Sequence, residues 1–238
     1  MTAQAARLQN APAAPDVPDA TEAPRAPLRS GDWTRAGVAQ LIRGGVEKVQ
    51  ITRLARDLGA TRGSFYWHFA DRHALLVAML DHWRVRNSGG VLDALAAART
   101  LDQGVLDLFA LWVDHQRFDP ALDAAVRDWA RRDSAVAQTL SAEDTARVEA
   151  IAAFFARMGY DAPETLIRAR VIYFTQLSFY ALGIDDAMAE RESYLGAYYT
   201  AFTGRTLDPG AHDAFLDRFR AMMGARHDAE DTVTGAIL

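Results

Sequence analysis

An all-α fold is what the sequence predicts, on three observations. Ala is abundant, Leu, Arg and Glu recur, and strand-like alternation is scarce. Helix punctuation is plentiful. Asp119-Pro120 and Asp208-Pro209 each set a capping carboxylate before a Pro suited to the first helical position. Gly44-Gly45, Gly59, Gly89-Gly90, Gly159 and Gly204 mark stops. Finally, Ile51, Leu54, Ala55 and Leu58 return at helical intervals and form one apolar stripe.

Residues 1–28 are rich in Ala and Pro and have no apolar period, so they predict a disordered tail that cannot offset its ordering entropy by burial. Helices are then expected near 32–43, 51–58, 62–68 and 71–87. A second set follows near 102–118, 120–131, 142–158, 162–183, 187–202 and 209–223. Ser141-Ala-Glu-Asp144 and Asp161-Ala-Pro-Glu164 resemble capping boxes for two of them. The early helices are short and basic, the later ones longer and apolar. Ser88-Gly89-Gly90 reads as the boundary. The expected organisation is therefore a first domain over 29–87, a connector over 88–101, a helical body over 102–224 and a flexible tail over 225–238.

Composition narrows the chemistry. With 238 residues, half of them hydrophobic, the chain can bury a sizeable core. It has no Cys, hence no disulfide, thiol nucleophile or Cys-based zinc site, in keeping with a reducing cytosol. No apolar run is long enough to span a membrane, and no signal peptide is expected, so the predicted location is cytoplasmic with no membrane partner. The six His residues form no His-Glu-X-X-His, and neither Gly-X-Ser-X-Gly nor a phosphate loop occurs. No enzyme activity, cofactor or metal is expected. Net charge is −5, yet residues 29–86 hold ten Lys or Arg against five Asp or Glu, a local +5 on a body of −10. A basic block on an acidic body is the footprint of a nucleic-acid-facing module.

That block contains GATRGSFYWHFADRHALL, residues 59–76. Gly59 stops the preceding helix, and Thr61 is placed to cap the next. Phe65 and Phe69, four apart, both face inward against the Ile51–Leu58 stripe, which leaves Arg62, Ser64, Tyr66 and Trp67 at the outer side or exposed end. A helix, a tight Gly turn and a second helix with a cationic N-terminal end make a helix-turn-helix. Arg62 can reach the O6 and N7 acceptors of guanine, Ser64 a phosphate or base edge, and Gly63 lets the backbone approach closely.

The stretch VQITRLARDLGATRGSFYWHFADRHALL resembles the DNA-binding region of TetR-type transcriptional repressors. Leu54, Ala55, Gly59, Thr61, Arg62, Gly63, Ser64, Phe65, Tyr66, His68, Phe69, Ala74 and Leu75 match the pattern. The resemblance implies a three-helix DNA-binding domain followed by an effector-binding and dimerisation bundle. It implies double-stranded operator DNA, a second copy of the chain and a small-molecule effector as partners. It also implies that the Tyr66 hydroxyl and Arg72 meet phosphate, that Trp67 lies at the groove edge, that His68 belongs to the DNA-binding set, and that Gln50, Thr52 and Arg53 form the phosphate side of the first helix. Gln50 stands where the family usually has Thr or Ser, and Thr52 where it often has Arg. The expected function is that of a homodimeric repressor released by its effector. An activator with the same DNA-binding mode and a helical protein-binding adaptor are the alternatives.

In the body, the family pattern assigns dimerisation to the helices at 162–183 and 187–202. Val171, Phe174, Leu177, Ser178, Ala181, Tyr194 and Tyr198 are the expected interface. Trp112, His115, Trp129, Phe155, Tyr173 and Gln176 are the expected effector cavity, aromatic walls with His115 and Gln176 to orient a polar end.

Overall fold

The computed structural model describes residues 27–184 and 186–221. The expectations of an N-terminal and a C-terminal tail fall almost wholly outside them. Among the described residues every regular element is helical. Helix α1 spans Ser30–Gly44, α2 Ile51–Asp57, α3 Arg62–Tyr66 and α4 Arg72–Trp83, with a 3-10 turn at Val46–Lys48 between α1 and α2. There follow α5 (Gly89–Ala97), α6 (Leu101–Val113), α7 (Pro120–Ala130), α8 (Ser134–Arg157), α9 (Glu164–Ala181), α10 (Met188–Thr203) and α11 (209–221).

Four of the expected caps are in place, while the box expected at Asp161–Glu164 is not, since α9 opens after Pro163 with no side-chain cap. Thr61 Oγ1 accepts from the Ser64 amide at 3.1 Å, and Asp71, Asp119 and Asp208 accept from Ala74, Leu122 and Ala211 at 2.8, 2.9 and 2.9 Å. Each such cap contributes about 0.5–2 kcal/mol to the helix it opens.

Two elements depart from expectation. Residues 88–101, expected as a connector, hold α5. The run from α4 passes through a π-helical turn at Arg84–Ser88 into α5 without a break. Neither glycine there ends a helix, and Gly90 serves packing: a Cβ on it would come within 3.0 Å of Leu111 Cδ1 and 3.5 Å of the Arg117 carbonyl. The buried Asn87 side chain holds the turn by donating to the Asp119 carbonyl at 2.9 Å and accepting from its amide at 3.2 Å. Helix α8 begins at Ser134 rather than 142, because Asp133 Oδ1 accepts from the amides of Ala135 and Val136 at 3.0 and 3.2 Å. The acids of the supposed cap at 141–144 are used in tertiary pairs instead, Glu143 with Arg84 and Asp144 with Arg127.

Two buried clusters result. The first joins Trp33 and Leu41 of α1, Leu54 of α2, Phe65 of α3 and Leu75, Met79 and Trp83 of α4. Gly37 makes the α1–α4 approach possible, since a Cβ there would meet Met79 Sδ at 2.7 Å. Leu122, Val126 and Trp129 of α7 and Val136 of α8 complete this cluster, so α7 packs on the N-terminal helices as well as on α8. The second cluster is built by α5, α6 and α8–α11, with Ile151, Phe154 and Phe155 fully buried at its centre. Gly104 admits the Phe154 ring, which lies where a Cβ would stand.

Candidate nucleic-acid interface

Helix α2 ends in a tight turn. Gly59 has φ 61°, and the amides of Gly59 and Ala60 bond back to the carbonyls of Arg56 and Ala55. The turn delivers α3 with Phe65 wholly buried, edge-on to Trp33 at 5.4 Å and stacked on Phe69 at 5.5 Å. One anchored ring thereby fixes which residues of α3 face out. Thr61, Arg62 and Gly63 are exposed, Ser64 and His68 half-buried, Tyr66 is 51% exposed and Trp67 87%. Gln50, Thr52 and Arg53 are exposed on the adjoining end of α2.

Three features distinguish this face from an ordinary solvated one. Arg53 and Arg62 have no carboxylate partner among the described residues, although acidic side chains elsewhere are widely paired. A nearly bare indole, at Trp67, gains nothing from the rest of the chain. And a Cβ at Gly63 would meet only Thr61 Oγ1, at 3.6 Å, so the protein's own packing does not require glycine there.

Two residues take parts the sequence did not suggest. Gln40, buried in α1, accepts from the Gln50 amide at 3.3 Å and donates to Asp57 at 2.9 Å, bracing both ends of α2. That bond is the main cause holding the Asp57 carboxyl below its usual value. Arg72, expected on phosphate, directs its guanidinium inward: Nε donates to the Val49 carbonyl at 2.7 Å and Nη2 to that of Val46 at 2.6 Å. It ties the start of α4 to the turn before α2. Arg72→Ala is thus expected to lower stability by about 1.5–3 kcal/mol, the range for hydrogen bonds to a charged group, as read by urea denaturation. A variant as stable as the wild type would return Arg72 to the list of surface cations.

Residues 34–79 match the model of bacterial regulatory proteins of the tetR family. The helix-turn-helix region is of the TetR type. Two solved structures share the fold of the chain. A transcriptional regulator from Rhodococcus sp. Rha1 is 16% identical, with a TM-score of 0.50 over 81% of this chain and 94% of that one. A protein from Mesorhizobium loti MAFF303099, described as a TetR-family transcriptional regulator, is also 16% identical, with a TM-score of 0.52 over 79% of this chain and 95% of that one. At that identity the likeness is one of fold. No curated protein matches the sequence.

In the helical body a cavity with about 110 Å³ of free space lies between α6, α9, α10 and α11. Trp112 and Gln176, two of the six residues expected at an effector cavity, line it. The other four residues expected there do not. His115 is exposed on the turn after α6, where its carbonyl accepts from Arg86. Trp129 belongs to the N-terminal core, because α7 turns its apolar side that way. Phe155 is fully buried against Tyr160. Tyr173 points its hydroxyl into a buried polar cluster between α7 and α8. The cavity is lined instead by aromatics that the sequence could not tell from core, among them Phe109, Phe179, Tyr180 and Phe215. Tyr194 and Tyr198, expected at a dimer contact, also line it. Burial pushes the Tyr180 hydroxyl up to about 12, and it donates to the Trp112 carbonyl.

The buried cluster went unread in the sequence. Arg147 of α8 is 0% exposed. Its Nε donates to Ser88 Oγ at 2.9 Å, and its Nη1 to Asp123 Oδ1 at 3.2 Å and the Tyr173 hydroxyl at 3.0 Å. Asp123 also accepts from the Trp83 indole at 2.9 Å and from Arg127 Nε at 2.8 Å. Arg127 closes the ring with a bidentate pair to Asp144 at 2.8 and 2.7 Å. Burial works against the Asp123 charge, but Arg147 and Arg127 outweigh it and hold the carboxyl below its usual value. Burial, opposed by Arg147 and Arg127 and aided by the Asp144 carboxylate, pushes Tyr173 up to about 12, so its hydroxyl keeps its proton.

Helix α9 carries one more feature. Ile167, Val171 and Phe174, spaced as neighbours on one helical face, are 52%, 43% and 52% exposed. Ser178 and Ala181 continue the face, with Leu177 half-buried beside it. No described helix is long and apolar enough to cross a membrane.

Proposed function

We propose that this regulator is a homodimeric repressor that reads a near-palindromic operator through α3 and is released by a small, mainly apolar effector. The observation that carries the reading is the outer face of α3, where an unpaired Arg62, a bare Trp67 and a half-exposed Tyr66 stand on a helix pinned from behind by Phe65. Arg62 at the helix start suits bidentate contact with guanine. Tyr66, Ser64 and Thr61 suit phosphate, and Arg53 and Thr52 the backbone beyond it.

The exposed apolar row on α9 supports dimerisation. Single exposed apolar residues are ordinary, but a row along one helix face suits a partner. A stable contact would bury about 1,200 Å² or more in total. Two α3 helices related by a dimer axis then address half-sites separated by one or more DNA turns of roughly 34–36 Å. The cavity supports the effector, which weakens operator binding by favouring an arrangement of the body incompatible with DNA.

Base reading is tested at Arg62. Arg62→Ala is expected to lower affinity for the best duplex by about 1–3 kcal/mol and to relax preference at one base position in each half-site. Fluorescence anisotropy against single-base variants measures both. Unchanged affinity and an unchanged preference would remove Arg62 from the reading set.

A further inference from the structure

We propose that the buried cluster around Arg147 couples the cavity to the DNA-binding helices, with Tyr173 as the positioning residue that reports the state of α9. The inference rests on the reading of the cavity as the effector site and specifies how that site is heard.

The path is short and continuous. Tyr173 lies on α9 beside Ile172 and one turn before Gln176, both of them cavity walls. Its hydroxyl donates to Asp144 at 2.6 Å and accepts from Arg147 at 3.0 Å and Arg127 at 3.1 Å. Arg147 passes the contact to Ser88 in the π turn and to Asp123, and Asp123 accepts from the Trp83 indole. Trp83 is the last residue of α4, and its ring lies 5.1 Å from the Arg147 guanidinium. At the other end of α4, Arg72 holds the turn that precedes α2. The cavity wall, the π turn and the helix that carries the reading module thus share one set of hydrogen bonds.

Burial gives that set its leverage. At its inner end, where the Arg147 and Asp123 side chains are 0% and 6% exposed, a charge that loses its partner is poorly rescued by solvent, so a change at Tyr173 is felt by both. Arg147 Nη2 is buried with no hydrogen-bond partner among the described residues. Ser88 sits in a π-helical turn, an irregularity of the kind at which a helical run can shift by part of a turn. A ligand that rotates α9 draws the Tyr173 hydroxyl from Arg147. Arg147 then releases Ser88 and Asp123, and the hold on Trp83 changes with them. A purely structural cluster would stabilise the chain in the same way with and without DNA, whereas a coupling cluster makes the two binding events depend on each other.

The experiment is a linkage measurement. The dye 1-anilinonaphthalene-8-sulfonate serves as cavity probe, and the DNA is a duplex recovered from a random library by the wild-type chain. Saturating duplex is expected to weaken dye binding to the wild type by about fivefold or more. In Tyr173→Phe, dye and duplex should each bind within about threefold of wild type when alone, while the mutual effect falls below about twofold. A Tyr173→Phe chain that keeps the wild-type ratio overturns the inference and leaves the effector reading standing. A wild type in which duplex has no effect on dye binding overturns both. If Tyr173→Phe loses its cooperative melt, Ser88→Ala, which cuts the path at its other end, decides by the same ratio.

Discussion

Arg147→Ala is expected to remove about 3–5 kcal/mol of stability, the largest loss foreseen for any single substitution outside the apolar cores. The side chain is 0% exposed, and its deletion leaves the buried Asp123 carboxylate with only Arg127 and the Trp83 indole, and Ser88 without its donor. The stacking of the guanidinium on Trp83 goes as well. Urea denaturation should show a fall in midpoint at constant slope. The pH dependence gives a second check. Asp123 is held below its ordinary value of 3.8 in the folded chain, so its contribution is fully present above that pH and is lost as pH falls through the lower, folded value. The gap between wild type and variant should therefore be steady from neutral pH to about pH 5 and narrow in stronger acid. A loss below about 1 kcal/mol would mean that water reaches the cluster and that pairing there is worth no more than at the surface.

Phe174→Arg should separate the proposed dimer. Phe174 stands at the middle of the exposed apolar row on α9, and a two-fold axis through that row would bring two such arginines together in a desolvated contact. With no carboxylate opposite, the loss is expected to be about 3 kcal/mol or more, roughly a hundredfold in dimer affinity. Sedimentation at low micromolar concentration should find a monomer that melts like the wild type, since the side chain is half-exposed in the single chain. Operator binding should weaken with it, because each monomer then holds one half-site alone. A folded variant that stays dimeric would place the interface on another face.

The helix-turn-helix was legible in the sequence because its determinants are local. Gly59, Thr61 and the Phe65–Phe69 pair lie within one stretch, and each acts through backbone conformation or helical spacing. The helical class and most helix positions followed from the same kind of signal. What sequence missed depends on partners far along the chain. Gly89-Gly90 reads as a stop until Leu111 is seen to need the space at Gly90. Arg72 reads as a surface cation until the carbonyls of Val46 and Val49 are seen within its reach. Trp129 and Tyr173 read as cavity aromatics because nothing local says which core an amphipathic helix will face. Arg147, the most deeply buried charge, is preceded by Thr145 and Ala146 and followed by Val148 and Glu149, a context that predicts an exposed helix side. Its acceptors lie 24 to 59 residues away.

Selection from a random duplex library by the wild-type chain, read by sequencing, tests the DNA-reading dimer most directly. The account predicts that the recovered pool converges on an inverted repeat whose half-sites are one or more helical turns apart, with a guanine fixed at one position of each half-site for Arg62. A pool that shows no enrichment, or that converges on a single unrepeated element, would contradict it.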